Sequence, residues 1–327
     1  MFKVNPYCSL FSDILGGILQ SIYGLTSLHV DKVPANMALP HQLTSHRLDK
    51  VTDDTTSPVT LKLLKSVGVK QCDGDEREPL YSGVDILIDG RLAVLDGKNW
   101  KVFVMDELLQ KLGMYKFSGY RYDVSVVSKE EVAVTSGRYE VIEFLHISKT
   151  NHITLTRTLT TTAWYYSICL MNDTTFLVST FEDKRPLKMI TLTGEETDFD
   201  NLPEKQYAVG YSKSTYIHDR DIMVRTDVLD NTVYMYDNKK GRCELRCAVK
   251  DELIKEPTGV CQGPNNSVLV CSEDTNSLVQ VSVSGRVIGS HKLDMCYPRT
   301  VCMSKDGKKL AVSNSATRNI KLQLFSC

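Results

Sequence analysis

The stretch "GVDILIDGRLAVLDGKNWKVFVMD", residues 83–106, contains the pattern that decides the fold. It runs from a short apolar segment through an Asp-Gly turn to an apolar triplet that ends in Val94. A polar loop and an alternating apolar segment follow. Alternation with period 2 around tight turns is typical of antiparallel strands. The stretch therefore predicts strand, tight turn, strand, loop and strand.

Apolar triplets ending in valine recur along the chain at near-constant spacing. The intervals are 40, 44, 46, 46 and 42 residues, and the valines are Val94, Val134, Val178, Val224, Val270 and Val312. A fourth strand follows in most units, although in the third unit it is short and acidic. Four antiparallel strands in each repeat of about 40 to 50 residues, without intervening helices, indicate a β-propeller. We therefore predict an all-β fold, a six-bladed β-propeller of four-stranded antiparallel blades.

The last repeat contains only three strands, which leaves its final strand "RNIKLQLF" without an outer neighbour. Upstream of the first repeat, residues 59–70 read as a strand that has no blade of its own. An unpaired edge invites aggregation, so we predict that residues of about 60–68 close the last blade. The propeller then spans 60–327. Residues 1–59 are expected to be an extension and linker, with a short helix near Leu15–Leu25 and otherwise poor order.

Composition describes an ordinary soluble globular chain, with 42% hydrophobic residues, 24% charged residues and a net charge of -1. The apolar stretch 14–28 is too short to cross a bilayer, and no membrane partner is expected. The ten cysteines lie mostly in apolar strand-like runs without a CxxC pair, which favours reduced thiols in the cytoplasm. No metal and no cofactor is predicted.

The position nine residues before each valine is predicted to lie in the inner strand of its blade. In the last repeat one extra turn residue moves this position to ten residues before the valine. The residues at this position are Asp85, Ser125, Cys169, Thr215, Cys261 and Cys302. All six are small, as crowding near a propeller axis requires.

The repeats resemble the NHL repeat, the six-bladed propeller at the C-terminus of animal tripartite-motif (TRIM-NHL) ubiquitin ligases. The resemblance rests on residues 83–106 and, almost equally, on 259–285 and 305–325. It implies a recognition domain that engages substrate proteins or single-stranded RNA on one face. Ubiquitin transfer would be done by a RING domain. The given sequence contains no RING, B-box or coiled-coil pattern. We therefore expect substrate recognition or scaffolding in ubiquitin-ligase pathways, and expect the chain itself not to be an enzyme.

In such propellers, one rim carries the loops from second to third strands and the loops from blade to blade. Here that rim would present aromatic and basic side chains, which are anchor types at protein interfaces and can also stack on single-stranded nucleic acid. The predicted partner-binding residues are Trp100, Arg121, Tyr122, Arg138, Tyr139, Trp164, Tyr165, Lys184, Arg185, Arg299 and Arg318.

The propeller region has 35 basic and 35 acidic residues, without the basic excess of a phosphate-binding domain. A protein partner, such as a ubiquitination substrate, is therefore favoured. Single-stranded RNA stays open as an alternative, and DNA is not expected.

A metal-dependent, lactonase-like hydrolase is the second alternative, because related six-bladed propellers hold a divalent ion in the axial channel. Such a site needs several convergent oxygen ligands. Among the six inner-strand residues named above, Asp85 alone is a carboxylate, and no catalytic residue is predicted.

Overall fold

The computed structural model describes residues 57–72, 74–137, 139–181, 183–205, 212–239, 242–316 and 318–327. These residues form six four-stranded antiparallel sheets. The predicted six-bladed β-propeller is confirmed.

Strands are numbered in chain order and grouped here by blade, from the inner strand outward. Blade 1 contains β2 (Tyr81–Ile86), β3 (Leu92–Asp96), β4 (Lys101–Met105) and β5 (Lys111–Lys116). Blade 2 contains β6 (Arg121–Val126), β7 (Glu131–Ser136), β8 (Val141–Ile147) and β9 (Ile153–Thr160). Blade 3 contains β10 (Tyr165–Asn172), β11 (Thr175–Thr180), β12 (Leu187–Thr191) and the short acidic β13 (Glu196–Asp198).

Blade 4 contains β14 (Ser214–Ile217), β15 (Ile222–Asp227), β16 (Thr232–Lys239) and β17 (Arg242–Val249). Blade 5 contains β18 (Pro257–Gln262), β19 (Ser267–Ser272), β20 (Ser277–Ser282) and β21 (Val287–Lys292). Blade 6 contains β22 (Pro298–Met303), β23 (Lys309–Asn314) and β24 (Lys321–Ser326), with β1 (Lys62–Gly68) outermost. Short 3-10 turns lie at His218–Arg220 and Pro264–Asn266.

The predicted closure of the last blade is confirmed. Strand β1 pairs antiparallel with β24, in a register that runs from Lys62 opposite Ser326 to Gly68 opposite Lys321. The six inner strands are neighbours in chain order, and the inner strands of blades 6 and 1 also meet. The ring is therefore closed, and blade 1 lies opposite blade 4, as blade 3 lies opposite blade 6.

The repeated valines form the centre of each blade. All six have no exposed surface. Apolar clusters fill the spaces between adjacent blades, and one of them joins Leu95 and Val104 of blade 1 to Val134 and Leu145 of blade 2. Neighbouring blades therefore bury one another's faces, which a single sheet cannot do alone.

Of the six small inner-strand residues predicted from the spacing of the valines, one does not occupy the equivalent position in the structure. In blades 1 and 2, Asp85 and Ser125 pair with the residue just before the valine. In blade 4 that partner, Met223, faces Tyr216 instead of Thr215. The turn between β14 and β15 is one residue shorter than the turn between β2 and β3, so constant spacing from the valine selects the wrong residue.

A β-bulge near the start of the inner strand recurs in five blades. Pairing is irregular between Tyr81 and Gly83 in blade 1, between Tyr165 and Ser167 in blade 3, and at the corresponding position of blades 2, 5 and 6. A bulge inserts an unpaired residue and turns its side chain in a new direction. This irregularity positions the groups described below.

No helix in the described part of the chain is long and apolar enough to cross a membrane. The nine cysteines within that part are all free thiols. The helix predicted near Leu15–Leu25 lies outside the described residues, and the proposed boundary at 59 stays a prediction.

Candidate binding surface around the upper channel mouth

We define the top face by the loops that join second to third strands and those that join one blade to the next. The predicted partner-binding residues differ in their exposure there. Tyr139, Lys184, Arg185 and Arg318 are exposed, Trp100, Tyr122, Trp164 and Arg299 are half-buried, and Arg121 and Tyr165 are buried. Arg138 lies outside the described residues.

The two buried residues hold their own blades together. Arg121 forms an ion pair with Glu143 at 2.5 Å and lies over the ring of Phe117. Its Nη1 also donates to two backbone carbonyls just before β6. The hydroxyl of Tyr165 donates to Glu196 at 2.7 Å in the outer strand of blade 3. Neither side chain is available to a partner in this conformation.

Four aromatic rings from blades 2 and 3 form a continuous group, which we name the aromatic cluster: Tyr120, Tyr122, Tyr166 and Phe181. The Tyr122 ring lies 5.1 Å from that of Tyr166 and 6.0 Å from that of Phe181. Tyr120 contacts Tyr122 on the outer side at 6.4 Å. A tilted arrangement at these distances is the favoured geometry of aromatic pairs.

Glycines on the top loops let two of the tyrosines lie flat against backbone. A Cβ added to Gly137 would approach the Tyr122 ring to 2.6 Å, and one added to Gly119 would approach Tyr139 to 2.9 Å. Tyr139 is 51% exposed and lies beside the aromatic cluster. Tyr166 and Phe181 are buried, so the ring surface on the top face comes from the half-buried Tyr120 and Tyr122 and from Tyr139.

Beneath the aromatic cluster, Lys213 closes the axial channel. Its Nζ lies 2.6 Å from Asp123 Oδ1 of blade 2 and donates to the carbonyl of Ser82 in blade 1, at 3.1 Å. The same ammonium lies 5.6 Å from the Tyr166 ring. Lys213 precedes β14 of blade 4, so its side chain crosses the axis to the opposite blade. Asp123 also accepts the N–H of Ile168 at 3.2 Å.

A second contact crosses the axis between blades 6 and 3. Arg299 Nη2 donates to the Tyr166 hydroxyl at 2.7 Å. We refer to Lys213, Asp123, Ser82, Arg299 and Tyr166 as the axial plug. Burial raises the pKa of Asp123 and lowers that of Lys213, and their mutual attraction opposes both shifts.

Asp123 and Lys213 were not predicted, because only one inner-strand position was compared across the repeats. Asp123 lies two residues before Ser125, and both line the axial cavity although the pairing between Arg121 and Val124 is irregular. Lys213 lies eleven residues before Val224, the same spacing as that of Asp123 from Val134. A list of the residues eleven positions before each valine would therefore have found both the carboxylate and the lysine.

The upper mouth carries charges of both signs. Glu273 accepts from the Ser315 hydroxyl at 2.6 Å, while burial raises its pKa and the nearby Arg299 opposes that rise. Burial also lowers the pKa of Lys98, on the loop between β3 and β4. Arg185 forms ion pairs with Asp183 and Asp198. The rim is therefore mixed in charge.

No group of three or more His, Cys, Asp or Glu side chains among the described residues could hold a metal ion.

Comparison with known proteins identifies the fold. No protein-family model matches the sequence, and neither does any curated protein. Virginiamycin B lyase from Staphylococcus aureus has a similar structure, with a TM-score of 0.55 and 15% identity over 81% of this chain and 88% of its own. A luciferin-regenerating enzyme has a TM-score of 0.62 and 11% identity, with coverage of 76% and 92%. The β-propeller domain of Cps50 (Swd1) from Myceliophteria thermophila has a TM-score of 0.54 and 10% identity, covering 77% and 85%.

These matches correct our prediction that the chain is not an enzyme. The lyase and the luciferin-regenerating enzyme are enzymes with the same architecture. At 15% identity or less the likeness shows the fold alone, and a fold does not determine function. The architecture therefore gives no ground for excluding catalysis, and it assigns none. What the comparisons establish is a β-propeller.

Proposed function

We propose that this propeller recognises a protein partner through its top face, centred on the aromatic cluster and Tyr139. The observation that carries the proposal is the exposed ring of Tyr139, which lies against Gly119 near the half-buried rings of Tyr120 and Tyr122. Aromatic and arginine side chains concentrated at the centre of a patch are typical of interface hot spots.

The NHL resemblance supplies the finer part of the proposal. It supports substrate recognition or scaffolding in a ubiquitin-ligase pathway, with the ligase activity provided by a RING protein. A cytoplasmic location belongs to the same proposal, and the free thiols of the described cysteines are compatible with it.

A protein fits the rim better than single-stranded RNA does. Stacking platforms for RNA are combined with a basic groove that follows the phosphates. Here Arg185 is paired with two carboxylates, and Glu273 lies beside the mouth. A partner with charges of both signs would match this surface.

The test compares two variants of the chain in cells by proximity labelling, followed by binding measurements with the purified candidate. Tyr122→Ala combined with Tyr139→Ala removes the centre of the patch. Leu108→Ala is the control, because Leu108 is an apolar side chain that is 57% exposed on the opposite face. Loss of a hot spot costs about 2 kcal/mol, which is roughly a thirtyfold loss of affinity.

We expect at least one protein to bind the wild type and Leu108→Ala equally and to lose affinity for the double variant. Equal binding of every candidate to all three chains would refute the top-face assignment. Capture that disappears after ribonuclease treatment, together with tight binding of polyuridine RNA, would favour the RNA alternative.

A further inference from the structure

The lower half of the channel, below the axial plug, is a cavity of ≈ 730 Å³. We name it the lower well. Its upper end is lined by Asp123, Lys213 and Thr300 of the inner strands. Its opening lies among the turns between first and second strands, where Leu170 and Met303 line the wall. The wall combines apolar side chains with polar and charged ones. The volume is within the range of about 300–1,000 Å³ that is typical of small-molecule sites.

Asp85 lies on the wall of this well between the plug and the opening, while Asp173 and Asp219 line the opening itself. Its Oδ1 accepts the N–H of Ile86 at 2.8 Å, and its Oδ2 accepts the N–H of Val126, in the next blade, at 2.7 Å. A carboxylate has about four acceptor sites, so two remain. Asp85 is half-buried, and its remaining surface is accessible from the cavity.

The charge of Asp85 is not balanced in the way that the charge of Asp123 is. Both carboxylates accept an N–H from the inner strand of the following blade. Asp123 also has an ammonium at 2.6 Å, from Lys213. Among the described residues, Asp85 has no cation at ion-pair distance, and the opposite charge that acts on it is the exposed Lys305 at the opening. Strand bridging therefore accounts for the backbone bonds of Asp85 but leaves its charge without a counter-ion.

Burial has a measurable effect on this carboxyl. It raises the pKa of Asp85 to about 6, and the nearby Asp123 adds to the rise. The group is therefore mostly ionised at neutral pH, inside a site of reduced polarity where an ion pair is stronger than in water. A cation that entered from the opening would gain this interaction.

We infer that the lower well binds a small organic cation, with an ammonium group on Asp85 and an apolar body against the walls near the opening. Leu170 and Met303 supply apolar contact there, and Tyr216 and Gln262 supply polar edges. At the level of Asp85 the other inner strands carry small residues, such as Cys261 and Cys302, except for Tyr216 of blade 4, and they leave the space that the ligand occupies.

The test uses phenethylamine as the probe, measured by titration calorimetry on the full chain at neutral pH. Phenethyl alcohol and hydrocinnamate have similar bodies with no charge and with the opposite charge. We expect saturable binding of the amine and at least tenfold weaker binding of the other two compounds. This comparison needs no variant, so it remains informative if a substitution in the well impairs folding.

Two variants locate the site. Asp85→Asn should weaken amine binding at least tenfold. Asp106→Asn should leave it within twofold, because Asp106 follows β4 in the same blade and accepts two backbone N–H groups but does not line the well. Absence of saturable amine binding, equal binding of the alcohol, or unchanged affinity in Asp85→Asn would each overturn the inference. None of these results would bear on protein binding at the top face, which uses other residues.

Discussion

Replacing Lys213 with methionine should destabilise the propeller by about 3–5 kcal/mol, the usual cost of leaving a buried charge without its partner. The Lys213 ammonium lies 2.6 Å from Asp123 Oδ1, and both side chains are largely buried. Methionine fills a similar volume but provides no charge. Asp123 would then keep backbone N–H donors, from Ile168 at 3.2 Å and from Val124, but no cation.

The reverse change, Asp123→Asn, should cost a similar amount, because it removes the anionic partner of the ammonium and leaves it with neutral acceptors such as the Ser82 carbonyl. In the double variant neither charge remains, and the amide oxygen of asparagine can still accept from Ile168. Removing both members of a buried pair is often close to neutral. We therefore expect the double variant to recover at least about 2 kcal/mol relative to the sum of the single losses.

The loss caused by Lys213→Met should depend on pH in a defined direction. Burial raises the pKa of Asp123 in the folded state, and removal of Lys213 raises it further. A carboxyl with a raised folded pKa costs stability above that pKa, and the cost disappears below the unfolded value of about 3.9. The destabilisation should therefore be larger at neutral pH than at about pH 4.5.

Urea unfolding of the four proteins, followed by circular dichroism and by fluorescence, measures these differences. Coincident curves from both signals are required before free energies are compared. Single losses below about 1 kcal/mol, or a double variant that loses the full sum, would refute the conclusion that this pair is desolvated and coupled.

Two further predictions concern closure and blade contact. Deleting residues 1–56 leaves β1 intact and should preserve cooperative unfolding, whereas deleting residues 1–70 uncovers β24 and should cause aggregation. Light scattering during thermal unfolding distinguishes the two deletions. Equal behaviour of both would contradict the closure of the last blade by β1. Gly113→Ala should destabilise the protein by about 1–3 kcal/mol because its Cβ would lie 2.0 Å from the carbonyl oxygen of Asn151, in the adjacent blade. Gly68→Ala is the control, with no atom within 4 Å of the added carbon, and a similar melting temperature for both variants would contradict the blade contact.

Blade number and closure could be predicted because both depend on features that every repeat shares. The valine of each second strand is fully buried. Each repeat therefore has an apolar residue at this position, and the repeated pattern is visible in the sequence. Closure followed from counting strands, since one blade lacked an outer strand and one upstream strand lacked a blade. These are local properties of the chain.

The site was less predictable, because its contacts connect distant residues and depend on single-residue irregularities. Lys213 and Ser82 are 131 positions apart, and no local pattern indicates that they meet across the axis. Tyr216 instead of Thr215 lies opposite Met223 because the turn between β14 and β15 is one residue shorter than the turn between β2 and β3. The burial of Arg121 depends on Glu143, in another strand.

The two proposed sites share a structural origin in the inner strands. Bulges at the upper ends of these strands bring Arg299 and Tyr166 into the channel, where they meet across the axis. Below the bulges most of the inner-strand residues at the level of Asp85 are small, and they surround the lower well. Lys213 of blade 4, whose inner strand pairs regularly, completes the plug. The residues of the top face and of the lower well are therefore different from the valines that hold each blade together, and they can vary without changing those valines.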